Sequence, residues 1–355
     1  MSRLFRADLA LIGYGNVGRR FVTLLDEHRD RLLRDYDLHC RIVGVATRHH
    51  GSRYDARGLD AADLTNLRPE SADAASNAFV AIERLGQSDA DLRVVVETTT
   101  LDVGEGQPAI DHVRAAIEAG CHAITANKGP VAFAYSALRE EAAAARVQFL
   151  FEGAVMDGIP IFNLVRETLP AVTVRGFRGV VNSTTNHILT AMERGEPFDE
   201  ALARMQAEGI AEADPSLDLD GWDAAAKAAA LANVLLDARL TPHDVARVGI
   251  QKPDGDRARN ALAHGRRLKL VASGTRGVSG AVSVAVQPVE LAASDLLASL
   301  DGKANALVLQ TDVLGEIAIC QLEGNLTHTA YALLSDLVTV RNRSMPLGAQ
   351  AHRSL

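Results

Sequence analysis

Over the first 155 residues, short apolar runs alternate with stretches of helical spacing. The runs are "ADLALIGYG" (7–15), "RIVGVAT" (41–47), "LRVVVETTT" (92–100) and "HAITANK" (122–128), closed by "VQFLFEGAV" (147–155). Each is apolar at its centre and bounded by glycine or polar residues, the pattern of a strand buried on both faces. Val17 to Leu33 repeats apolar positions at helical spacing, and so does Ala109 to Ala119, up to a capping Gly120. The polar, glycine-containing stretch from Arg48 to about Ser71 predicts loop. Strands alternating with helices predict a parallel sheet covered on both faces.

After Pro160 the pattern changes. Ile161 to Leu169 reads as a helix, "TVRGFRGVV" (173–181) as a strand, and "NSTTNHILTAME" (182–193) again as a helix. Two alanine-rich helices follow, around 198–208 and 222–236. Residues 267–322 hold strand-like runs such as "ALVLQTDV" and "EIAICQLE", and the last strong helix is roughly Leu326 to Val340. The predicted fold class is α/β. An N-terminal Rossmann-type parallel sheet covers 1–155, completed by a C-terminal helix within 325–345. A C-terminal α+β domain covers 156–324, and the last dozen residues read as a frayed end.

Composition narrows the classes of function. The chain has 355 residues, 47% hydrophobic and 23% charged, with a net charge of −8 and a pI near 5.8. That balance argues against a nucleic-acid or membrane-surface role. No stretch approaches the ~18 continuous apolar residues of a membrane span. The apolar run in "MSRLFRADLALIGYGN" is too short for a signal peptide. Cys40, Cys121 and Cys320 lie far apart, form no metal-type spacing and read as reduced thiols of a cytoplasmic protein.

The first strand ends in "LIGYGNVGRR", which supplies Gly13, Gly15 and Gly18 in the Gly-x-Gly-x-x-Gly pattern with Asn16 and Val17 between them. Gly13 permits a tight turn, Gly15 lets a pyrophosphate approach the backbone, and Gly18 lets helix and strand pack closely. The free amides of the following helix then face the anion. A strand before the pattern and a helix after it favour dinucleotide binding over an incidental turn. The second strand ends in "VATRHHGSR", with Arg48 and no acid until Asp55. An acid there would bind ribose hydroxyls, whereas an arginine accommodates a 2′-phosphate. The expectation is NADP, with NAD possible; the alternative is a solvated basic loop.

In "AEADPSLDLDGWDAAAKAAALANVLL" (211–236), five carboxylates (Glu212, Asp214, Asp218, Asp220 and Asp223) fall within twelve residues. Lys227 then interrupts a run of alanine and leucine. Asp223 and Lys227, four residues apart, share one helix face. One reading is a plain surface ion pair. The other is an enclosed site, because the helix has no further polar stripe and the crowded carboxylates call for a cation. A substrate ammonium would be that cation, and a desolvated lysine is a fit base for a hydroxyl. With a nicotinamide nearby, the chemistry is oxidation of an amino alcohol or reduction of an amino aldehyde. Lys128, in "TANKGP" at a strand's carboxyl end, is either a surface lysine or one that reaches nicotinamide ribose or substrate.

Together "GYGNVG", "AGCHAITANK", "FEGAVMDGIPIF", "VVNSTTNHILTAM", "AEGIAEADPSLDLDGWDAAAK" and "AYALLSDL" run in order through nearly the whole chain. They resemble the homoserine dehydrogenase family, in a short form that ends before the C-terminal regulatory domain of some members and without a kinase fusion. The resemblance implies interconversion of L-homoserine and L-aspartate 4-semialdehyde with NAD(P), in threonine, methionine and isoleucine biosynthesis. It implies that Glu212 and Asp223 bind substrate, supported by Asp218, with Thr184 lining the pocket. Lys227 would be the acid/base, with Lys128 sharing proton transfer or binding cofactor. Gly209 and Thr98 or Thr99 would lie against the cofactor. Glu152, Val155, Asp157 and Ile159 match the family's site for a monovalent cation, Na+ or K+. A homodimer joined through the second domain's sheet is also implied.

The chain departs from the family at Met156 and Asp157, where small residues are usual, at Ser183, and at "LEGNLTHTA", which lacks the usual glycine-rich run. Two other readings compete: a dehydrogenase for another amino-acid-derived alcohol or aldehyde, and a non-catalytic NADP-binding sensor, since fold does not fix function.

Overall fold

A computed structural model describes residues 4–67, 74–207 and 214–344, and the chain forms two compact units. The first comprises 1–130, 134–160 and 325–355; the second comprises 131–133 and 161–324.

The first unit is built on six strands: β1 (Phe5–Ile12), β2 (Leu38–Thr47), β3 (Gly51–Tyr54), β4 (Leu92–Glu97), β5 (His122–Thr125) and β6 (Phe149–Leu150). Their order is β3-β2-β1-β4-β5-β6. All pairs are parallel except β2 with β3. Residues 7–12 of β1 are entirely buried, as expected of a central strand with helices on both faces. Strand order reverses between β1 and β4, and ligands of such sheets bind at the carboxyl ends beside that switch. The C-terminal helix Leu326–Arg343 completes this core with Ala330, Leu333, Leu334, Leu337 and Val340.

The second unit carries β7 (Val174–Val180), β8 (Ala246–Arg247), β9 (Arg266–Arg276), β10 (Val282–Ala292), β11 (Asn305–Thr311) and β12 (Glu316–Gln321), in the order β12-β11-β7-β9-β10-β8. Its pairs are antiparallel except β8 with β10. Helices Ser183–Glu193, Trp222–Leu235 and Asp254–Ala263 pack on β9 or β10. The alanines of Trp222–Leu235 let that helix approach its neighbours closely, and Ala224 to Ala226 and Ala228 to Ala232, Leu231 among them, are buried. Asn233 is satisfied there. Its Nδ2 donates to Val131 O (3.1 Å), Ala132 O (3.2 Å) and Leu240 O (2.8 Å), and its Oδ1 accepts from Leu240 N.

Several expected elements differ. The helix expected over 17–33 is two, Asn16–Glu27 and Arg29–Tyr36. The i→i−4 bonds on either side of His28 survive, and only its own dihedrals (φ −109°, ψ 9°) leave the helix, so the periodicity carries straight through. The stretch expected to be loop after Arg48 contains β3 and a short helix, Ala61–Thr65, closed by a reciprocal Asp60–Asp63 capping box. A four-residue edge strand needs no apolar run, which is why a polar segment hides it. The helix expected over Ile161–Leu169 is present over 162–168, α-wound at 162–163 and π-wound at Leu164–Thr168, whereas the strand expected to reach Val155 stops at Leu150. Helices Ala74–Gly86, Gly129–Ala145 and Asp254–Ala263 add to the expected set.

Candidate functional site

At the end of β1, Gly13 has φ +92°, and a Cβ there would stand 2.7 Å from the carbonyl carbon and oxygen of Thr98. Only glycine lets β4 come that close. A Cβ on Gly18 would meet Gly13 O at 3.0 Å, while one on Gly15 would meet nothing within 4 Å. The turn is therefore closed toward the sheet and open at Gly15. Thr98 ties the strand ends together, donating from N to Ile12 O (2.8 Å) and from Oγ1 to Gly13 O (3.0 Å).

Gly15 is the extended N-cap of helix Asn16–Glu27, which has no side-chain cap and no acid in its first turn. Arg19 N already bonds Gly15 O (3.0 Å), so the amides of Asn16, Val17 and Gly18 precede the first intrahelical bond. Such an end favours an anion. On the neighbouring strand end, exposed Arg48 opens the turn from β2 to β3, which Thr47 Oγ1 stabilises by accepting from His50 N and donating to Gly51 O (both 2.9 Å). Asp55, the first acid after it, is committed to Arg57, whose side chain and backbone N hold its carboxyl down to about 2. Lys128 is half-buried and starts helix Gly129–Ala145 at the end of β5.

Elsewhere in this unit, Glu152 is buried in a 3-10 turn, and its backbone N donates to Asp336 Oδ2 (2.8 Å). Val155 and Ile159 are buried beside it. Asp157 has a left-handed backbone (φ +50°) and accepts from Thr329 Oγ1 (3.0 Å). Among the described residues no group of three or more His, Cys, Asp or Glu is placed to hold a metal ion. This segment offers one buried carboxylate plus backbone carbonyls, a hard-oxygen donor set of low charge.

In the second unit, Lys227 lies on the alanine-rich helix with its Nζ 2.9 Å from Asp223 Oδ2 and 2.7 Å from Val181 O. Its side chain is 14% exposed and that of Asp223 17%, so this is no solvated surface pair. Asn182 follows Val181. Its Nδ2 donates to Asp218 Oδ1 (2.7 Å) and Asp223 Oδ2 (2.9 Å), joining the two carboxylates. Its Oδ1 accepts from Thr185 N and Oγ1 (both 2.9 Å), capping helix Ser183–Glu193.

Burial, then repulsion by Asp223, pushes the Asp218 carboxyl above its ordinary value, opposed by hydrogen bonds from Asn182 and Thr184 and by the Lys227 charge. Thr184 is itself buried. The site thus brings Thr184, Asp218, Asp223 and Lys227 together. It adds Asn182, whose only local signal is a cap residue ahead of "STT". Gly209 and Glu212 lie outside the described residues. Two carboxylates against one ammonium leave the cluster net negative, suited to a cationic group on a substrate.

The chain as a whole is similar to known proteins. Residues 160–338 match the family model described as homoserine dehydrogenase, and residues 13–152 match that of the homoserine dehydrogenase NAD-binding domain. The chain is 36% identical over 335 residues to an NAD(+)-dependent homoserine dehydrogenase of Pseudomonas canavaninivorans, covering 94% of this chain and 95% of that one. It is 34% identical to a homoserine dehydrogenase of Sulfurisphaera tokodaii, covering 94% and 98%. The crystal structure of a homoserine dehydrogenase from Thiobacillus denitrificans superposes with a TM-score of 0.80 at 29% identity, covering 99% of this chain and 76% of that one.

Proposed function

The chain belongs to the homoserine dehydrogenase family, NAD(P)-dependent oxidoreductases acting on the CH–OH group of homoserine, and from that premise we propose how its own residues divide the reaction. The observation that carries the reading is Lys227, held by Asp223 and Val181 O in a largely enclosed place next to two carboxylates. In the oxidative direction Lys227, as the free amine, takes the hydroxyl proton of L-homoserine while hydride leaves C4. In the reverse direction the ammonium returns that proton to the alkoxide formed from L-aspartate 4-semialdehyde. Asp223 and Asp218 hold the substrate ammonium, Asn182 fixes their separation, and Thr184 lines the pocket. Glu212 and Gly209 join substrate and cofactor binding respectively.

The dinucleotide supplies the hydride acceptor or donor when bound. Gly13, Gly15 and Gly18, with the amides of Asn16 and Val17, hold its pyrophosphate, and Thr98, Thr99 and Lys128 meet its nicotinamide half. We assign a preference for NADP to Arg48, because the end of β2 carries a free guanidinium-bearing turn and no available acid. The Pseudomonas relative is NAD(+)-dependent by name, which makes a side-by-side comparison the direct test. Arg48→Ala should raise KM for NADP+ by about 10-fold and leave that for NAD+ unchanged; equal effects on both would refute the assignment. Glu152, with the carbonyls of Val155, Asp157 and Ile159, is the proposed seat of Na+ or K+.

We also propose a homodimer joined through the second sheet. Its edge strand β12 is flanked by exposed Val313, Leu314 and Leu322, surface a soluble chain covers. Three free cysteines and no helix of the described residues long and apolar enough to cross a membrane support a place in the cytoplasm, in threonine and methionine biosynthesis.

The substrate assignment is tested with 4-hydroxybutyrate, which keeps the carboxylate and hydroxyl and lacks the amine. Losing an ammonium–carboxylate contact costs about 1.5–3 kcal/mol, or roughly 10- to 100-fold in kcat/KM. Equal oxidation of both alcohols would overturn the ammonium site.

A further inference from the structure

The carboxylate of Glu97 ends β4 with no exposed surface, and no step above uses it. A carboxylate buried this way costs several kcal/mol unless donors serve its oxygens. Its Oε1 accepts from Thr99 N (3.0 Å) and from Thr99 Oγ1, and its Oε2 accepts from Thr125 Oγ1 (2.9 Å). His112, buried on helix Ala109–Glu118, stands with Nδ1 3.7 Å from Oε1, beyond hydrogen-bonding distance. Thr125 Oγ1 in turn accepts from Asn127 N (2.9 Å). The Asn127 amide donates to Thr99 O (3.0 Å), and its Oδ1 accepts from Gly129 N (2.8 Å). Glu97, Thr99, Asn127 and Thr125 therefore close a ring of hydrogen bonds across the ends of β4 and β5.

Two positions assigned to the cofactor are fixed by that ring without belonging to it. Thr98 lies between Glu97 and Thr99, and Lys128 lies between Asn127 and Gly129, both of which are pinned. We infer that Glu97 is a positioning residue for hydride transfer, setting through Thr125 and Asn127 where Thr98, Thr99 and Lys128 present themselves. The inference rests on the reading that those three residues meet the nicotinamide half of the cofactor. Glutamine has the same shape but replaces one oxygen by an NH2 that cannot accept, so the Thr125 hydroxyl must turn its proton to the main-chain oxygen of residue 97, 3.1 Å away, and the ring loses its charged acceptor.

The test compares Glu97→Gln and Thr125→Val with the parent, using homoserine deuterated at C4. Displacement of a reacting group by an ångström costs on the order of 10²-fold. Glu97→Gln should accordingly lower kcat by about 10- to 100-fold and raise the deuterium isotope effect, with KM for homoserine unchanged. Thr125→Val, which removes one bond of the ring, should move both in the same direction by less. It decides the matter alone if Glu97→Gln does not fold. A lower melting temperature with unchanged kcat and isotope effect would mean a purely structural role and overturn the inference. Lys128→Ala separates the two levels. If it slows hydride transfer while the ring variants do not, only the positioning role falls. If it alters neither cofactor affinity nor hydride transfer, the reading of the turn fails and the inference with it.

Discussion

Replacing Asn182 by alanine takes one side chain away from Asp218, Asp223 and Thr185 at once. Loss of the helix cap costs about 1 kcal/mol. Each hydrogen bond to a carboxylate contributes about 1.5–3 kcal/mol, and the two acids left facing each other are largely enclosed. The simple total approaches about 7 kcal/mol. Water entering the vacated space and the coupling among these bonds bring the expected loss to about 2–4 kcal/mol. The same change loosens the two acids assigned to the substrate ammonium, so KM for homoserine should rise by about 10-fold or more while cofactor affinity holds.

Asn182→Asp separates the contributions. It keeps an oxygen for Thr185 N but turns an acceptor toward two carboxylates. It should be at least as destabilised as the alanine variant near neutral pH and recover in part as acid protonates the cluster. Urea unfolding and initial-rate kinetics on both variants provide the check. Parental stability and KM in Asn182→Asp would refute the view that this amide holds the acids together.

Gly13→Ala would place a methyl 2.7 Å from Thr98 backbone atoms at φ +92°. It should abolish NAD(P) binding in a fluorescence titration and cost upward of about 2 kcal/mol, since the left-handed backbone alone costs ~1–2; retained binding would contradict the closed turn. Burial, aided by Arg93, holds His122 down at about 4, and its Nδ1 accepts from Gln148 N. Below its unfolded value near 6.5 the unfolded chain takes a proton that the native state refuses. This stability is thus whole above about 6.5 and falls by up to about 3 kcal/mol as pH drops toward 4. His122→Gln should flatten that part of the stability–pH curve, and an unchanged curve would discount His122 as its source.

How far the molecule could be read from its residues depended on the range of the signal. The glycine turn is local: three glycines, a strand before and a helix after sit within a dozen residues. Lys227 stood out because one charge interrupted an apolar helix, and its partner Asp223 lies one turn away on the same face. Asn182 did not. Before "STT" it reads as a cap, and its second task depends on acids 36 and 41 residues further on. Glu97 is obscured for the same reason, because an acid at a strand end looks exposed until β5 supplies Thr125 and the turn after it supplies Asn127. The break at His28 leaves no trace in the sequence, because periodicity records the spacing of side chains and not the dihedrals of a single residue.

The central claim is that Lys227 moves the hydroxyl proton. It is tested most directly by single-turnover reduction of NADP+ and NAD+ with saturating L-homoserine in the parent protein and in Lys227→Ala. A positioned acid/base contributes about 10²–10⁴-fold. The account predicts a loss of that size in the hydride-transfer rate with cofactor affinity unchanged. Hydride transfer at the parental rate in the variant would contradict it.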